Sequence, residues 1–345
     1  MIHDANRCYK GGMSRRRLSA TKADPVAADL APARGRIYPD ILATIGGTPL
    51  VRAPRLAAAA GLVADLTLKL EFFNPMGSVK DRIGLAMVVA AEQAGEITPG
   101  RSVLIEPTSG DTGLALALVA AARGYRLIVT MPEGAAPERR RLLRLMGAEV
   151  ELTPAHRGMT GAIERAQVLL DSVPHAWMPR QFDNPANPAA HAASTAEEIW
   201  ADTAGRVDLV VGGLGTGGTL SGIARALKPR RPTLRVYGVE PAESAVLSGD
   251  EPGPHGIQGL GPGFCPAVLD LDRLDGVIRV SEHEAVRAAR HCARQEGLAI
   301  GLSAGAALHA ALALGREAEN ARRLLVVLIP CSAERSLSTG LFAGL

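Results

Sequence analysis

The sequence predicts an α/β fold built on parallel sheets covered by helices on both faces. Three observations predict it. From residue 37 onward, short β-rich runs alternate with helical ones, as in successive βαβ units. Gly-rich turns follow apolar strands and precede helices, which in an open sheet sets them at the carboxyl ends of strands, where ligands bind. Aromatic residues make up only 3% of the 345 residues, so the core must be built from Ala, Leu, Val and Ile. The length is enough for two domains.

Taken in order, Ile45-Gly46-Gly47-Thr48-Pro49-Leu50-Val51 reads as a turn into an extended segment, and residues 66–70 as a short alternating strand. The Pro/Gly turn at 74–77 delivers Lys80 to the mouth of a helix with apolar positions at Ile83, Met87, Ala90 and Ala94, which stops at Gly95. A strand over 102–106 opens into Pro107-Thr108-Ser109-Gly110-Asp111-Thr112-Gly113, followed by a helix over 114–123 with Gly124 as its C-cap. A strand at 126–130, a helix at 137–147, a strand at 149–152 and a helix at about 160–170 complete a compact βαβα unit over 108–175. Residues 179–185 read as a connecting loop. Ser194-Thr195-Ala196-Glu197 reads as a capping box opening the helix that holds Trp200. The apolar strand 207–211 enters Gly212-Gly213-Leu214-Gly215-Thr216-Gly217-Gly218-Thr219 and a helix through Leu227, and a strand over 234–239 follows. The Gly/Pro loop at 253–263 is long enough to point to function. Ser281 and Glu284 cap a further helix, Gly301-Leu302-Ser303-Ala304-Gly305 starts the helix carrying His309, and 324–329 is the last strand.

Composition excludes several classes. Hydrophobic residues make up 47% and charged residues 21%, as in ordinary globular proteins, and no apolar run reaches the 18 or so residues that span a bilayer. Cys8, Cys265, Cys292 and Cys331 form no CxxC pair, which argues against a disulfide framework or structural zinc and fits a reducing, cytoplasmic compartment. Residues 1–36 carry eight Lys/Arg against three acids, or +5, so the rest of this +3 chain is at −2. A slightly acidic body gives no reason to expect nucleic acid, and the basic tail reads as disordered.

Chemistry gathers at the turns. Lys80 sits at a helix N-terminus, where the dipole and desolvation both disfavour an ammonium, and a neutral amine is what forms a Schiff base. Lys80 is therefore a candidate anchor for an aldehyde cofactor, although taken alone it also suits a solvated first turn. The Gly215–Thr219 turn offers clustered N–H groups and two hydroxyls as an anion cradle, without the lysine of a P-loop. Gly213-x-Gly215-x-x-Gly218, with Glu240 22 residues later, also satisfies a dinucleotide fingerprint, making a nicotinamide-dependent oxidoreductase the rival reading. That reading leaves Lys80 unused. The turn at 108–112 suits a substrate carboxylate, or plain capping by Asp111 and Thr112. Ser303 either caps its helix or faces a pyridine nitrogen, where a neutral hydroxyl favours elimination over transamination. His255 and His309 read as structural, and no metal-ligand spacing stands out.

Six motifs in order, 74–84, 108–113, 215–219, 253–263, 301–305 and 334–339, resemble the motif set of the fold-type II pyridoxal phosphate enzymes, within them the O-acetylserine sulfhydrylase (cysteine synthase) family. Gln181-Phe182-Asp183-Asn184-Pro185-Ala186-Asn187-Pro188 and Gly238-Val239-Glu240-Pro241 strengthen the resemblance, which runs from about residue 40 to the C-terminus. It implies two three-layer domains of the tryptophan synthase β-like architecture: 75–185, with 108–175 as a mobile unit, and 37–74 plus 186–345, holding the cofactor phosphate. It implies that Lys80 binds pyridoxal 5'-phosphate and moves the substrate α-proton. Gly215, Thr216, Gly217, Gly218 and Thr219 then hold the phosphate and Ser303 meets the pyridine nitrogen, while Thr108, Ser109, Thr112 and Gln181 bind the amino acid carboxylate. The implied reaction is β-replacement, in which acetate leaves O-acetylserine and sulfide adds to give cysteine. A homodimer and a serine acetyltransferase partner are further implications.

Departures from the family are part of the reading. Asp111 stands where the family has an Asn that donates to the cofactor's phenolic oxygen; an ionised carboxylate cannot donate there and would repel a phenolate. Gly256 replaces a lysine near the site entrance, which argues against the acetyltransferase partnership. Gly47, Pro262, Ala333 and Ser336 also differ from the common residues. The alternatives carried are a β-substituted alanine synthase using another serine donor or nucleophile, and a cofactor-binding paralogue with a regulatory role.

Overall fold

The computed structural model describes residues 35–345. For residues 1–34, the expectation of a disordered basic tail lies outside the described residues. Contacts divide the chain between Tyr38 and Pro39, and the fold below is that of Pro39–Leu345.

The larger sheet contains β1 (Leu50–Arg52), β2 (Asp65–Leu70), β7 (Val207–Gly213), β8 (Arg235–Pro241), β9 (Gly276–Val280) and β10 (Leu324–Ile329), in the spatial order β1-β2-β10-β7-β8-β9. All neighbours are parallel except β1, an antiparallel edge strand on β2. The smaller sheet contains β3 (Val103–Pro107), β4 (Arg126–Pro132), β5 (Glu149–Thr153) and β6 (Ala176–Trp177), all parallel, in the order β5-β4-β3-β6. Central strands such as Leu324–Ile329 (LLVVLI) are apolar without alternation because helices cover both their faces.

Helices follow the strands. They are α1 (Pro54–Ala60), α2 (Lys80–Gln93), α3 (Asp111–Arg123), α4 (Pro137–Leu145), α5 (Gly158–Ser172), α6 (Ala186–Ala193), α7 (Thr195–Asp202), α8 (Gly218–Leu227), α9 (Glu282–Glu296) and α10 (Leu302–Arg316). Among the described residues, no helix is long and apolar enough to cross a membrane. Gly124 closes α3 at φ 75°, and Ser281 with Glu284 forms the expected capping box on α9.

One expectation is corrected, and one helix lies where the sequence reading assigned no element. The stretch after the loop at 179–185 is helical. Pro185 occupies the N-cap of α6 and Pro188 its first turn, where a missing N–H costs nothing. Ser194 makes no capping bond to α7; its hydroxyl donates to the Ala190 carbonyl of α6 and accepts from Arg82.

A buried ionic cluster fixes the start of α2. The Arg82 guanidinium donates to both carboxylate oxygens of Glu71 at 2.7 and 2.9 Å and to both of Glu198 at 2.7 Å. Lys69, fully buried, lies 2.8 Å from Glu198 and 3.4 Å from Asp202, and donates to the Thr48 carbonyl. Burial alone would raise Glu198, but the hydrogen bonds and charges of Arg82 and Lys69 pull it down to about 2. Because the folded value lies below the ordinary 4.5, this stabilisation is complete above that pH and is lost as pH falls toward about 2. Arg82→Met strands two buried carboxylates and should destabilise the protein by roughly 3–5 kcal/mol, measured by denaturant unfolding at neutral pH, with a smaller difference from the wild type near pH 3.

Candidate active site

The site is assembled by α6, which packs against both α2 and α8. At the α8 contact no side chain fits. A Cβ on Gly222 would lie 2.4 Å from the Pro188 carbonyl oxygen, and one on Gly218 2.0 Å from Asn187 Oδ1. Asn187 and His191, one turn apart on α6, then reach the loop before α8. Asn187 Nδ2 meets Thr216 Oγ1 at 3.0 Å, and His191 Nε2 meets Thr219 Oγ1 at 3.1 Å. Gly217 has φ 80°, and a Cβ on Gly215 would sit 2.3 Å from the Gly259 carbonyl oxygen. Glycine is thus required here by backbone conformation and close approach, and the loop presents N–H groups at a helix N-terminus, the arrangement that binds a phosphate.

Lys80 begins α2. Ser78 and Cys331 form an isolated β-bridge and Val79 N–H donates to the Pro330 carbonyl, so the end of β10 holds the chain just before the lysine. Lys80 lies deep but keeps some accessible surface. Of the three lysines in the described residues, Lys69 and Lys228 are ion-paired, and Lys80 makes neither an ion pair nor a side-chain hydrogen bond. Burial depresses its amine below the ordinary value, partly offset by the charges of Asp111 and Cys331. The Lys80 charge in turn acts on His191, whose pKa lies well below 6.5 through burial and then the charges of Arg82 and Lys80. The helix that Lys80 begins and the helix that follows the glycine turn thus both pack on α6.

The other expected residues gather around this pair. Ser303 is buried in the first turn of α10 and caps nothing there. It lies near Cys331, whose thiol burial pushes up to about 12. Thr112 likewise does not cap α3; its hydroxyl donates to Gln181 Oε1 at 2.6 Å, leaving the Gln181 amide nitrogen free to donate. Thr108 accepts the Gly110 N–H at 3.1 Å, and Ser109 gives its carbonyl to Arg139. Asp111 does not act as a side-chain cap either; it lies between Arg335 at 3.7 Å and Arg139 at 3.9 Å. A cavity of about 470 Å³, bordered by Phe72, Gly77, Leu142, Ser332 and Arg335, opens beside this group.

Sequence reading missed the residues that orient these groups: Asn187, His191, Glu106, Arg139, Arg335 and Cys331. Glu106 accepts the Arg180 and Gln181 N–H groups at 3.1 and 3.4 Å, and Asn187 Nδ2 donates to the Gln181 carbonyl at 2.8 Å, so the glutamine backbone is held at both ends. Burial pushes Glu106 up to about 7. The dinucleotide rival loses its acid: Glu240 accepts the Leu247 N–H and the Ser248 hydroxyl, so it is spent within its own loop. Two further departures have local explanations. Ser336 Oγ accepts the Leu302 N–H at the start of α10, and a Cβ on Gly256 would meet the Glu282 carboxylate at 2.2 Å.

Comparison with known proteins agrees with this geometry. A family model described as pyridoxal-phosphate dependent enzyme matches residues 41–329. The chain is 47% identical over 319 residues to a cysteine synthase A of Salmonella typhi, covering 90% of this chain and 97% of that protein. The crystal structure of a cysteine synthase (OASS) from Entamoeba histolytica superposes with a TM-score of 0.88 at 41% identity, over 91% of this chain and 93% of that one. That of an O-ureido-L-serine synthase superposes with a TM-score of 0.86 at 43% identity, over 90% and 96%. An unpaired lysine with a depressed amine and a glycine-rich turn at a helix N-terminus are groups an aldehyde phosphate requires, and with these matches the chain belongs to the pyridoxal-phosphate dependent enzymes.

Proposed function

We propose that this protein is a cysteine synthase, exchanging the acetate of O-acetyl-L-serine for sulfide to form L-cysteine. The observation that carries the reading is that Lys80, buried and without an ion pair or side-chain hydrogen bond, begins a helix packed on the same α6 that packs against the helix after the Gly215–Thr219 turn. When bound, pyridoxal phosphate supplies an electron sink that eases breaking of bonds at the substrate Cα. The chain supplies the rest. Gly215, Thr216, Gly217, Gly218 and Thr219 hold the phosphate with backbone N–H groups and two hydroxyls. Ser303 offers the ring nitrogen a neutral hydroxyl. Thr108, Ser109, Thr112 and Gln181 take the amino acid carboxylate at the N-terminus of α3, where the helix dipole favours an anion.

Lys80 Nζ, once free, is the base that takes the Cα proton, and it returns that proton after sulfide has displaced acetate at Cβ. A base of this kind must be neutral, and burial shifts the amine in that direction. We place the moving part in residues 108–175, within a 75–185 domain, closing on the substrate carboxylate and excluding water; 37–74 with 186–345 carries the phosphate site. The unpaired Cys265, Cys292 and Cys331 fit a reducing cytoplasm. A homodimer is the assembly we propose. Gly256 offers no cation for an acetyltransferase tail, so that partnership is not part of the proposal.

Several measurements test the reading. Purified protein carrying the cofactor should be yellow, shift its absorption on addition of O-acetyl-L-serine, and release cysteine when sulfide follows. Lys80→Ala should lower turnover by about 10²–10⁴-fold or more; retained turnover would remove Lys80 from the chemistry. A faster reaction with another nucleophile, or a shift without product, would favour the substituted-alanine or regulatory readings. In the apoprotein, the rate of cofactor attachment should rise with pH and level off at an inflection below 10.5, because only the neutral amine attacks. An inflection at or above that value would contradict the depressed amine.

A further inference from the structure

One acidic residue in the 108–112 turn has no part in the reaction as described. Asp111 opens α3, and its Oδ1 is buried without a hydrogen-bond partner. Two guanidinium groups face that same oxygen, Arg335 Nε at 3.7 Å and Arg139 Nη2 at 3.9 Å. Neither depends on the carboxylate for its placement. Arg139 donates to the carbonyls of Ser109 and Arg335 at 2.8 and 3.1 Å, and Arg335 donates to the carbonyl of Met76. The three side chains are only 12–19% exposed, so their charges interact more strongly than in bulk water.

Asp111 shares its turn with Thr108, Ser109 and Thr112. In the proposed function, on which this inference rests, that turn receives the substrate carboxylate. Two carboxylates in one turn repel, and each disfavours the charged form of the other. The arginines stand where they can remove that conflict: fixed from behind by carbonyls, they present two positive charges to one side of Asp111.

We propose that Arg139 and Arg335 are positioning residues that draw the Asp111 carboxylate aside and neutralise it, so that an acid at this position is compatible with an anionic amino acid substrate. Their effect on binding then passes through Asp111. The alternative is a purely structural tie, with Arg139 joining α4 to the Ser332–Arg335 segment whatever residue 111 is.

The two roles differ in how substitutions combine. Arg335→Gln keeps an amide for the Met76 carbonyl while removing the charge, and Arg139→Gln does the same for Ser109. Each should raise KM for O-acetyl-L-serine roughly tenfold with little change in kcat. Adding Asp111→Asn should return KM to within about threefold of the Asp111→Asn single variant. Unfolding midpoints of the four apoproteins supply the second readout, with the change for Asp111→Asn and Arg335→Gln together smaller than the sum of the singles. A double variant with a wild-type midpoint and a KM still raised overturns the proposal, as does an Arg335→Gln enzyme whose KM is unchanged. A wild-type protein that gives no absorption shift and no cysteine would instead overturn the proposed function itself.

Discussion

The site depends on the close packing of α6 between the lysine helix and the phosphate helix. Gly218 and Gly222 leave α8 without side chains where α6 crosses it, with a would-be Cβ 2.0–2.4 Å from Asn187 and Pro188. Such contact is closer than any Cβ allows, so the glycines are fixed by packing. The same helix also packs against α2. One eight-residue helix therefore joins the element that carries Lys80 to the element that follows the turn at 215–219.

Charge is distributed to serve that geometry. Arg82 and Lys69 are buried and fully paired, which confines the cost of burying cations to a cluster that also anchors the start of α2. Two residues before Arg82, Lys80 is left without an ion pair, so burial outweighs the opposing charges near it and its amine is depressed. His191 follows the same logic: burial, and after it the charge of Arg82, depress it well below 6.5, so it can bridge Thr195 and Thr219 by hydrogen bonds while adding no charge of its own. Arg82 contributes to both effects, as the anchor of α2 and as one of the charges holding the histidine neutral.

Much of this was legible in the sequence, for definite reasons. Strand ends followed by glycine turns are local patterns, and they located Lys80, the 108–113 turn, the 215–219 cradle and Ser303 within a residue or two of where the structure has them. What stayed hidden was non-local. The helix α6 was obscured because its prolines and asparagines carry the composition of a loop, and only tertiary packing reveals that the prolines lie where helices tolerate them. Ser194 followed by Glu197 matched a capping box, yet its hydroxyl is committed to Ala190 and Arg82. Thr112 and Ser303 looked equally suited to capping until the structure showed Thr112 turned to Gln181 and Ser303 to Cys331. The arginines beside Asp111 come from residues 139 and 335, and no spacing rule joins them to it.

The central claim is that one amine, Lys80, faces the phosphate cradle. Borohydride reduction of protein reconstituted with pyridoxal phosphate, followed by peptide mass mapping, tests it most directly. The account predicts a single reduced cofactor adduct on the peptide containing Lys80, and none on Lys69 or Lys228. An adduct on either of those lysines, or no adduct in protein that has retained the cofactor, would contradict it.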